Sequence, residues 1–528
     1  MRALYVIFAV FALAGVVATF LAAVAGSETL LLVLVKDDGF YYLQLARNIA
    51  LGNGATFDGI APTNGFHPLW TILLAPVFWF EFASPYTPVR IAIALALAIH
   101  IAAGWAVRRA AARWTDTATA NLAGLFYIAN PLALYVVVSG MESPLLGLLV
   151  ALLVAESIAV QRGETSLAKR STMVRVGILS GLCILTRTDA VLLVALVLAA
   201  AVLLPAGPAA PSPAVRWRGA FRAGIVSLVL LSPWILWNLL RFGTVVQVSA
   251  RAHRIHAVSQ RAAGETEGLE RLVTVGHSLA STVLTTISGR TGVPAAVIAG
   301  VLTVGAAVLV WWIASLVADR EDRRQLGERL RWFAAPLLYA VGFLAAAFFI
   351  LGHIRSWYIA GPLAVGSILW ALPAHYALRQ HALRLRGRIA AAIVAVGVVV
   401  AMLPLGRVFA GEFIHNLTLV QCWREAAEWV GAHVEPGTRV ASFNSGTFGY
   451  LSPRTVVNLD CVVNNRAIPW LEQERLVPYL REERIAVILD DPGYVKRYFT
   501  AYGGANWREV VAPVDTLASG LVVYRVQQ

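Results

Sequence analysis

The chain has 528 residues, of which 58% are hydrophobic and only 14% are charged. Soluble domains carry about 25% charged residues, so this composition excludes a soluble enzyme, a nucleic-acid-binding protein and a disulfide-stabilised secreted domain. The net charge of +13 comes from 43 Lys and Arg against 30 Asp and Glu, and nearly all of the excess is arginine. The arginines form short clusters between apolar runs, which is the positive-inside pattern of a polytopic membrane protein.

The apolar runs predict about eleven transmembrane spans. The first, residues 3–25, has a long apolar core that continues past Glu28, so we interpret it as an uncleaved span with a cytoplasmic N-terminus. The other spans are predicted at residues 87–107, 117–138, 143–160, 173–187, 189–205, 223–240, 293–317, 333–351, 357–377 and 389–409. The arginine clusters between these spans then alternate correctly and place the C-terminus outside. Since 173–187 and 189–205 are short for a membrane, one of them is expected to be distorted or partly inserted.

Two long loops are predicted on the outer face, residues 26–86 and residues 241–292. Counting the apolar run 68–82 as a further span would reverse every later loop, so we interpret it as a helix lying in the membrane interface. The segment 39–52 mixes apolar and polar residues and is expected to form a second juxtamembrane helix. The second outer loop carries many cations, and both a solvated loop and a rim for anionic lipid headgroups are consistent with it.

The character of the chain changes after the membrane domain of residues 1–410. Helical periodicity at 423–430 and two short buried strands at 456–459 and 485–489 predict a small extracytoplasmic α/β domain over residues 411–528. Pro and Gly residues punctuate these elements, as in a compact mixed domain.

Cysteine use adds little to the functional interpretation. Cys183 lies in an apolar run, whereas Cys422 and Cys461 both lie in the C-terminal domain. An extracytoplasmic location would allow those two thiols to form a disulfide, and the sequence leaves open whether they do so.

Two adjacent carboxylates, Asp37 and Asp38, directly follow the first apolar region. As N-terminal caps of the next helix they would have a purely structural role. As a catalytic pair they would supply a general base at the membrane surface. The residues that follow, up to the Gly-Phe-His-Pro-Leu-Trp run at 65–70, form a composite pattern that favours the catalytic interpretation.

With this pattern the sequence resembles the GT-C membrane glycosyltransferases, in particular the group of bacterial aminoarabinose transferases and protein O-mannosyltransferases. The resemblance covers residues 1–410 and is strongest in the first 190 residues. It implies a mainly α-helical polytopic protein of the cell (inner) membrane, with a catalytic motif and interfacial helices in its first outer loop. It also implies a polyprenyl-phosphate-linked sugar as donor and a glycan, a lipid or a protein as acceptor.

The resemblance also assigns roles to individual residues. Asp38 matches the catalytic aspartate best, because Tyr42 and Arg47 then also fall in register, and Asp37 remains the second choice. Thr188 departs from the family pattern, in which other residues stand at this position. The residues with an implied role in substrate binding lie in the outer loops and at the outer ends of spans: Tyr42, His67, Glu142, Arg187, Asp189 and Arg355.

The physical cost of burying charge supports a shared site for these residues. A lone charge at mid-membrane costs about 2.5–3.5 kcal/mol or more, so each one requires a partner or a hydrated cavity. Positive-inside counting places Glu142, Arg187, Asp189 and Arg355 on the same face as Asp38, which favours one cavity. The structural alternative is that the two carboxylates simply pair with Arg187.

The predicted mechanism follows from the charge of the donor. Departure of a polyprenyl phosphate requires cations, for which Arg187, Arg355 and His67 are the candidates, and the attacking hydroxyl requires a base, for which Asp38 is the candidate. A single displacement of this kind inverts the anomeric centre. No cofactor is required, although Asp37 and Asp38 could bind a divalent metal.

A transporter or flippase of lipid-linked glycans is the alternative function. It would share the outer arginines and the many spans, and it would also contact membrane lipids. Transporters usually show internal repeats, which the sequence lacks, and they need no long first outer loop with paired carboxylates. The sequence therefore favours the enzyme.

Overall fold

The computed structural model describes residues 2–204, 211–262, 331–351, 356–381 and 421–527. The predicted spans 293–317 and 389–409, most of the second outer loop, residues 411–420 and Arg355 lie outside the described residues. The helices of the membrane part are α1 Arg2–Ala25, α2 Glu28–Leu34, α3 Asp37–Ala50, α4 Pro68–Leu74, α5 Thr87–Ala111, α6 Thr117–Ala129, α7 Pro131–Val138, α8 Ser143–Gln161, α9 Arg170–Thr186, α10 Val191–Leu203, α11 Pro213–Phe242, α12 Val248–Ala262, α13 Ala334–Leu351 and α14 Ala360–His381.

Four of the described helices are long and apolar enough to cross a membrane: α1, α5, α8 and α11. The pair α6 and α7 passes the same test together but is bent by 47°. Pro131 follows the bend and has no N–H for the preceding turn, and the Asn130 side chain accepts hydrogen bonds from the N–H groups of Leu132 and Ala133. The predicted span 117–138 is therefore a broken pair of helices.

Helices α9 and α10, predicted as short spans, contain 17 and 13 residues. Both are shorter than the ~20 residues that an untilted span needs. Between them, Arg187 has an extended backbone with φ −154°, and residues Thr188–Ala190 form a 3-10 turn. The break thus places the charged Arg187–Asp189 segment at the junction of two apolar helices.

The predicted interfacial helix is divided into two parts. Helix α4 ends at Leu74, and a 3-10 helix continues over Ala75–Trp79. Pro76 in that segment cannot donate a backbone hydrogen bond, which accounts for the change of helix type. Trp79 and Phe80 are 69% and 68% exposed, as expected of aromatic side chains at a bilayer surface.

The C-terminal domain contains the predicted sheet. Its strands are β1 Arg439–Ser442, β2 Val456–Asn458, β3 Ile485–Asp490, β4 Val511–Thr516 and β5 Val522–Val526, and its helices are α15 Gly446–Leu451, α16 Ile468–Glu472, α17 Leu476–Glu482, α18 Pro492–Tyr502 and α19 Trp507–Val510. The strand order is β2-β1-β3-β5-β4. Strand β1 pairs in parallel with β2 and β3, whereas β5 pairs antiparallel with β3 and β4. The carboxyl ends of the three parallel strands therefore meet at one edge.

Cys422 and Cys461 are both buried thiols in this structure. They lie in different hydrophobic clusters of the C-terminal domain, Cys461 with the strands β1 to β3 and Cys422 with the helical residues 421–433. The possible disulfide that the sequence left open is thus not formed.

Asn64 and Gly65 join the first outer loop to the C-terminal domain. The Asn64 N–H donates to Oδ1 of Asn465 at 3.2 Å, and Nδ2 of Asn465 donates back to Oδ1 of Asn64 at 2.9 Å. Asn64 also donates to Oδ1 of Asn238 in α11 and is fully buried. A Cβ atom on Gly65 would lie 1.8 Å from the carbonyl oxygen of Val462. Only glycine permits this close approach of the two backbones.

We expect Gly65→Ala to separate the C-terminal domain from the first outer loop. The new methyl group meets backbone, which cannot rotate away, at a cost of about 1–3 kcal/mol. Limited proteolysis and amide hydrogen exchange should show faster cleavage and exchange around residues 458–466. Gly224→Ala in α11, where no atom lies within 4 Å of the new Cβ, is the matched control. Equal exchange in both variants would contradict this interpretation.

Candidate active site

Helix α3 turns Asp37 and Asp38 toward different neighbours. Asp37, Tyr41 and Gln44 are spaced i, i+4 and i+7 and therefore share one face of the helix. Asp38 and Tyr42, spaced i and i+4, share the adjacent face. The first face meets the C-terminal domain, and Tyr42 on the second face lies near Glu142 and Arg187 of the charged cluster.

The carboxylate of Asp37 accepts hydrogen bonds from the backbone of α15. Its Oδ2 atom accepts from the Gly446 N–H at 2.9 Å and its Oδ1 atom from the Thr447 N–H at 2.6 Å. A Cβ on Gly446 would lie 2.1 Å from the Asp37 carbonyl oxygen, so the contact requires glycine there. Burial raises the pKa of Asp37 to about 6, and the hydrogen bonds from Thr447 and Gly446 partly oppose that rise. Asp37 thus acts as a cap for a helix of another domain.

Tyr41 and Asn458 continue the same contact. The Tyr41 hydroxyl accepts from the Ser445 N–H and from Nδ2 of Asn458, each at 3.3 Å. Asn458 is the last residue of β2 and also donates to Oγ of Ser445 at 2.9 Å. The carboxyl edge of the parallel strands is therefore the part of the sheet that faces α3.

Asp460 is a third carboxylate at this edge, which the sequence reasoning did not single out as a site residue. Its Oδ1 atom accepts from the Val462 N–H at 2.9 Å. Burial raises the pKa of Asp460 to about 7, with smaller contributions from the negative charges of Asp38 and Asp37. Its position directly after a strand, in the run Asn-Leu-Asp, is the sequence signal that could have identified it.

Arg187 is the centre of the charged cluster. Its Nη1 atom lies 2.7 Å from Oε1 of Glu142, and its Nη2 atom lies 2.6 Å from Oδ2 of Asp189. The guanidinium also lies 5.0 Å from the centroid of the Tyr358 ring. The side chains of Arg187 and Glu142 are 8% and 0% exposed, whereas that of Asp189 is 30% exposed. With two carboxylates on one guanidinium, this trio carries a net charge of −1.

Tyr42 and His67 lie within the electrostatic range of this trio. Burial raises the pKa of the Tyr42 phenol, and the negative charge of Glu142 raises it further. Burial lowers the pKa of His67, while Glu142 opposes that shift. Neutral His67 is therefore the form that predominates at pH 7.

Gln247 connects His67 to the Arg187 turn. Its Nε2 atom donates to the Phe66 carbonyl oxygen at 2.7 Å and lies 3.4 Å from Nδ1 of His67. Its Oε1 atom accepts from the hydroxyl of Thr188 at 3.1 Å. An amide donor at Nδ1 selects the tautomer of neutral His67 that carries its proton on Nε2. Thr188, the departure from the family pattern, thus has a structural role in this chain.

The structure brings five of the sequence-predicted site residues together: Tyr42, His67, Glu142, Arg187 and Asp189. Asp38 lies one turn of α3 before Tyr42. Asp37 precedes Asp38 and is turned toward the C-terminal domain. Arg355 belongs to the part of the chain outside the described residues. Among the described residues, no three His, Cys, Asp or Glu side chains are grouped to hold a metal ion. The divalent metal that the sequence allows at Asp37 and Asp38 stays a prediction.

Comparison with solved structures finds proteins of similar fold. The structure of the oligosaccharyltransferase AglB from Archaeoglobus fulgidus, with an inhibitory peptide and a dolichol-phosphate, matches at a TM-score of 0.52 and 16% identity over 98% of this chain and 74% of AglB. ArnT from Cupriavidus metallidurans, bound to undecaprenyl phosphate, matches at 0.53 and 14% identity over 98% of this chain and 97% of ArnT. Another AglB structure, with Zn and sulfate, also matches, at a TM-score of 0.53 and 14% identity over 98% of this chain and 73% of that chain.

Both proteins are GT-C glycosyltransferases, so the resemblance expected from the sequence is confirmed at the level of the fold. Residues 413–524 match the family model "Domain of unknown function (DUF8728)". No curated protein sequence matches the chain. The C-terminal match covers most of the predicted domain and assigns no chemistry to it.

We expect Asp37→Ala to expose the amides of residues 446–447 without removing the carboxylate of Asp38. The change deletes two charge-assisted hydrogen bonds, which contribute about 1–3 kcal/mol to the contact. Hydrogen exchange should accelerate in peptides covering residues 443–451. The matched variant is Asp38→Ala, for which exchange in these peptides should equal that of the wild type. If both variants exchange alike, Asp37 is not the cap.

We expect Arg187→Gln to destabilise the membrane part by about 3–5 kcal/mol, because it leaves the buried Glu142 carboxylate without its cation. Adding Glu142→Gln should restore much of the loss, since Asp189 is partly hydrated. Thermal unfolding in detergent measures both effects. Arg113→Gln, which breaks the more exposed pair with Glu164, should change stability by less than about 1 kcal/mol. Additive effects of the two changes at 187 and 142 would disprove the pairing.

Proposed function

We propose that the protein is an integral membrane glycosyltransferase. It transfers a sugar from a polyprenyl-phosphate carrier to an acceptor hydroxyl on the outer face of the inner membrane, where its C-terminal domain lies, while its N-terminus is cytoplasmic. The observation that carries the proposal is the buried cluster of Arg187, Glu142 and Asp189, which lies near Tyr42, one turn of α3 after Asp38. The fold shared with AglB and ArnT, whose structures contain dolichol-phosphate and undecaprenyl phosphate, supports it.

Asp38 is the proposed general base. Asp37 accepts two backbone hydrogen bonds and is committed to the domain contact, which supports Asp38 over Asp37 as the carboxylate that meets the acceptor. The acceptor oxygen forms a bond to the anomeric carbon as the bond from that carbon to the phosphate oxygen breaks. The hydroxyl proton passes to Asp38, and the phosphate leaves with the bonding electron pair, so that the anomeric centre is inverted without a covalent intermediate.

The departing phosphate requires positive charge and hydrogen-bond donors. In this proposal His67 donates from Nε2, because Gln247 occupies the other ring nitrogen. Arg187 is fixed by Glu142, Asp189 and Tyr358, so its role is to offset part of the negative charge of the two carboxylates and to hold the geometry of the turn. Arg355 remains a proposed phosphate ligand from the sequence. The mechanism needs no metal step.

The decisive experiment measures sugar transfer by the purified protein in lipid nanodiscs. Mass spectrometry follows loss of sugar from a panel of polyprenyl-phosphate sugars, with wild type beside Asp38→Asn. We expect turnover that falls by a factor of about 10³ or more in the variant, because a general base and its charge are both lost. Asp491→Asn, an exposed helix cap in the C-terminal domain, is the isosteric control and should retain activity.

Two results would contradict the proposal. Full transfer by Asp38→Asn would remove Asp38 from the chemistry. Movement of intact carrier between the leaflets, unaffected by Asp38→Asn and without sugar release, would identify the protein as a flippase instead.

A further inference from the structure

A cavity of about 360 Å³ lies between α3, the loop after it and the C-terminal domain. Its walls include Gln44, Arg47 and Asn48 of α3, Asn53 of the loop, and Arg454 and Thr455 of the C-terminal domain. This volume lies within the usual range of small-molecule sites, yet the lining is unusually polar. Amide and hydroxyl side chains of this kind are suited to a ligand that carries many hydroxyl groups.

Two arginines give the cavity its charge. Within the described part of the chain, neither Arg47 nor Arg454 forms an ion pair with a carboxylate, and Asp58 is the acidic residue in the lining. Arg47 donates only through Nη1, to Gln44 and to the Tyr450 carbonyl oxygen, each at 3.2 Å. Arg454 donates through Nε to the Val434 carbonyl oxygen at 2.9 Å and through Nη1 to that of Pro453 at 3.3 Å. The Nη2 atoms of both side chains are thus available to an anion in the cavity.

The walls of the cavity are held in place before any ligand arrives. The Arg47 guanidinium stacks on the Tyr450 ring with a centroid distance of 4.3 Å. Asn48 donates to the carbonyl oxygens of Thr56 and Phe57 at 2.8 and 3.0 Å, which fixes the loop against α3. A Cβ on Gly449 would lie 2.4 Å from the Phe57 ring, so the loop and the C-terminal domain are in close contact. Rigid donors reduce the entropy lost on binding.

The cavity is close to the proposed catalytic base and separate from it. Gln44 lies six residues after Asp38 and Arg47 nine residues after it, which corresponds to about 9 Å and about 14 Å along the axis of α3. A group bound between the arginines therefore belongs to a part of a substrate one or more units away from the reacting atoms.

We propose that this cavity binds an acidic group, a phosphate or a carboxylate, of the sugar chain that accepts the transferred sugar. The inference rests on the proposed function for its assignment to the acceptor. It identifies the acceptor as an anionic glycan, whose negative charge lies between Arg47 and Arg454 and whose hydroxyl groups meet the amide side chains. An anionic lipid headgroup offers the same phosphate chemistry and is the other source that the test must separate.

The test measures binding rather than turnover, so its outcome does not depend on finding the donor. Calorimetric titration uses the full-length protein in zwitterionic phosphatidylcholine nanodiscs, with glucose 6-phosphate, glucuronate and neutral glucose as probes. We expect saturable binding of both anionic sugars, with glucose at least about tenfold weaker, and a loss of about tenfold or more in Arg454→Gln. Arg475→Gln, an exposed arginine that stacks on Trp470, is the matched control and should bind as wild type.

A second variant guards against an effect of Arg454→Gln on folding. Thr455→Asp places a negative charge in the same wall and should weaken both anionic sugars while thermal unfolding stays near that of the wild type. Equal binding of glucose and the anionic sugars, or unchanged binding in both variants, would overturn the proposal. So would binding of phosphatidylglycerol in the nanodisc with no binding of the soluble anionic sugars, because the anion would then be a lipid headgroup.

If Asp38→Asn abolishes transfer but these binding results are negative, the enzyme proposal stands and the acceptor inference fails. If the sugars bind but no carrier is ever consumed, the site stands and its assignment to an acceptor fails. The two proposals can therefore be rejected independently.

Discussion

The contact between Asp37 and the backbone of α15 orients the rest of the site. Successive residues of a helix point about 100° apart, so directing Asp37 at Gly446 and Thr447 directs Asp38 toward the face of Tyr42. One carboxylate of the pair is thereby used in structure, and the other shares a helix face with Tyr42, which lies near Glu142 and Arg187. The contact also joins residues more than 400 positions apart, so the geometry at Asp38 depends on docking of the C-terminal domain.

The second constraint is the burial of charge next to apolar helices. The loop that carries Glu142 packs directly on α3, since a Cβ on Gly39 would lie 2.5 Å from the Ser139 carbonyl oxygen. Trp70 reinforces this packing by donating from Nε1 to the Gly140 carbonyl oxygen at 2.9 Å. Glu142 is therefore held where water cannot reach it, and Arg187 must accompany it. The structural interpretation given from the sequence, in which both carboxylates pair with Arg187, is the arrangement observed here.

The sequence predicted the parts of the structure that have a local signal. The strands at 456–459 and 485–489, which form the edge strand β2 and the central strand β3, are apolar runs in the sequence, and the Asp-Asp pair follows an apolar helix. Strand β4 could not be predicted in this way, because it contains Pro513 and most of its residues are exposed. The role of Asp37 was equally inaccessible, since its partners lie in a distant segment that no spacing rule reaches. Gln247 was missed for the same reason, because it connects several segments and belongs to no recognisable motif. Asn64 lies within the composite pattern, but its bonds to Asn238 and Asn465 reach segments that no spacing rule covers.

The arrangement separates two tasks along one helix. The first turn of α3 presents Asp38 to the membrane part, where a lipid-linked donor would lie, and its last turns present Gln44 and Arg47 to the C-terminal domain. Arg454 completes the second set only when that domain is docked, and docking requires the glycine contacts at positions 65, 446 and 449. A change in the C-terminal domain could therefore alter which acceptor is selected while leaving the groups around Asp38 unchanged. In this view the C-terminal domain determines which acceptor binds, because it completes one wall of the cavity. The membrane helices carry the groups that take part in catalysis.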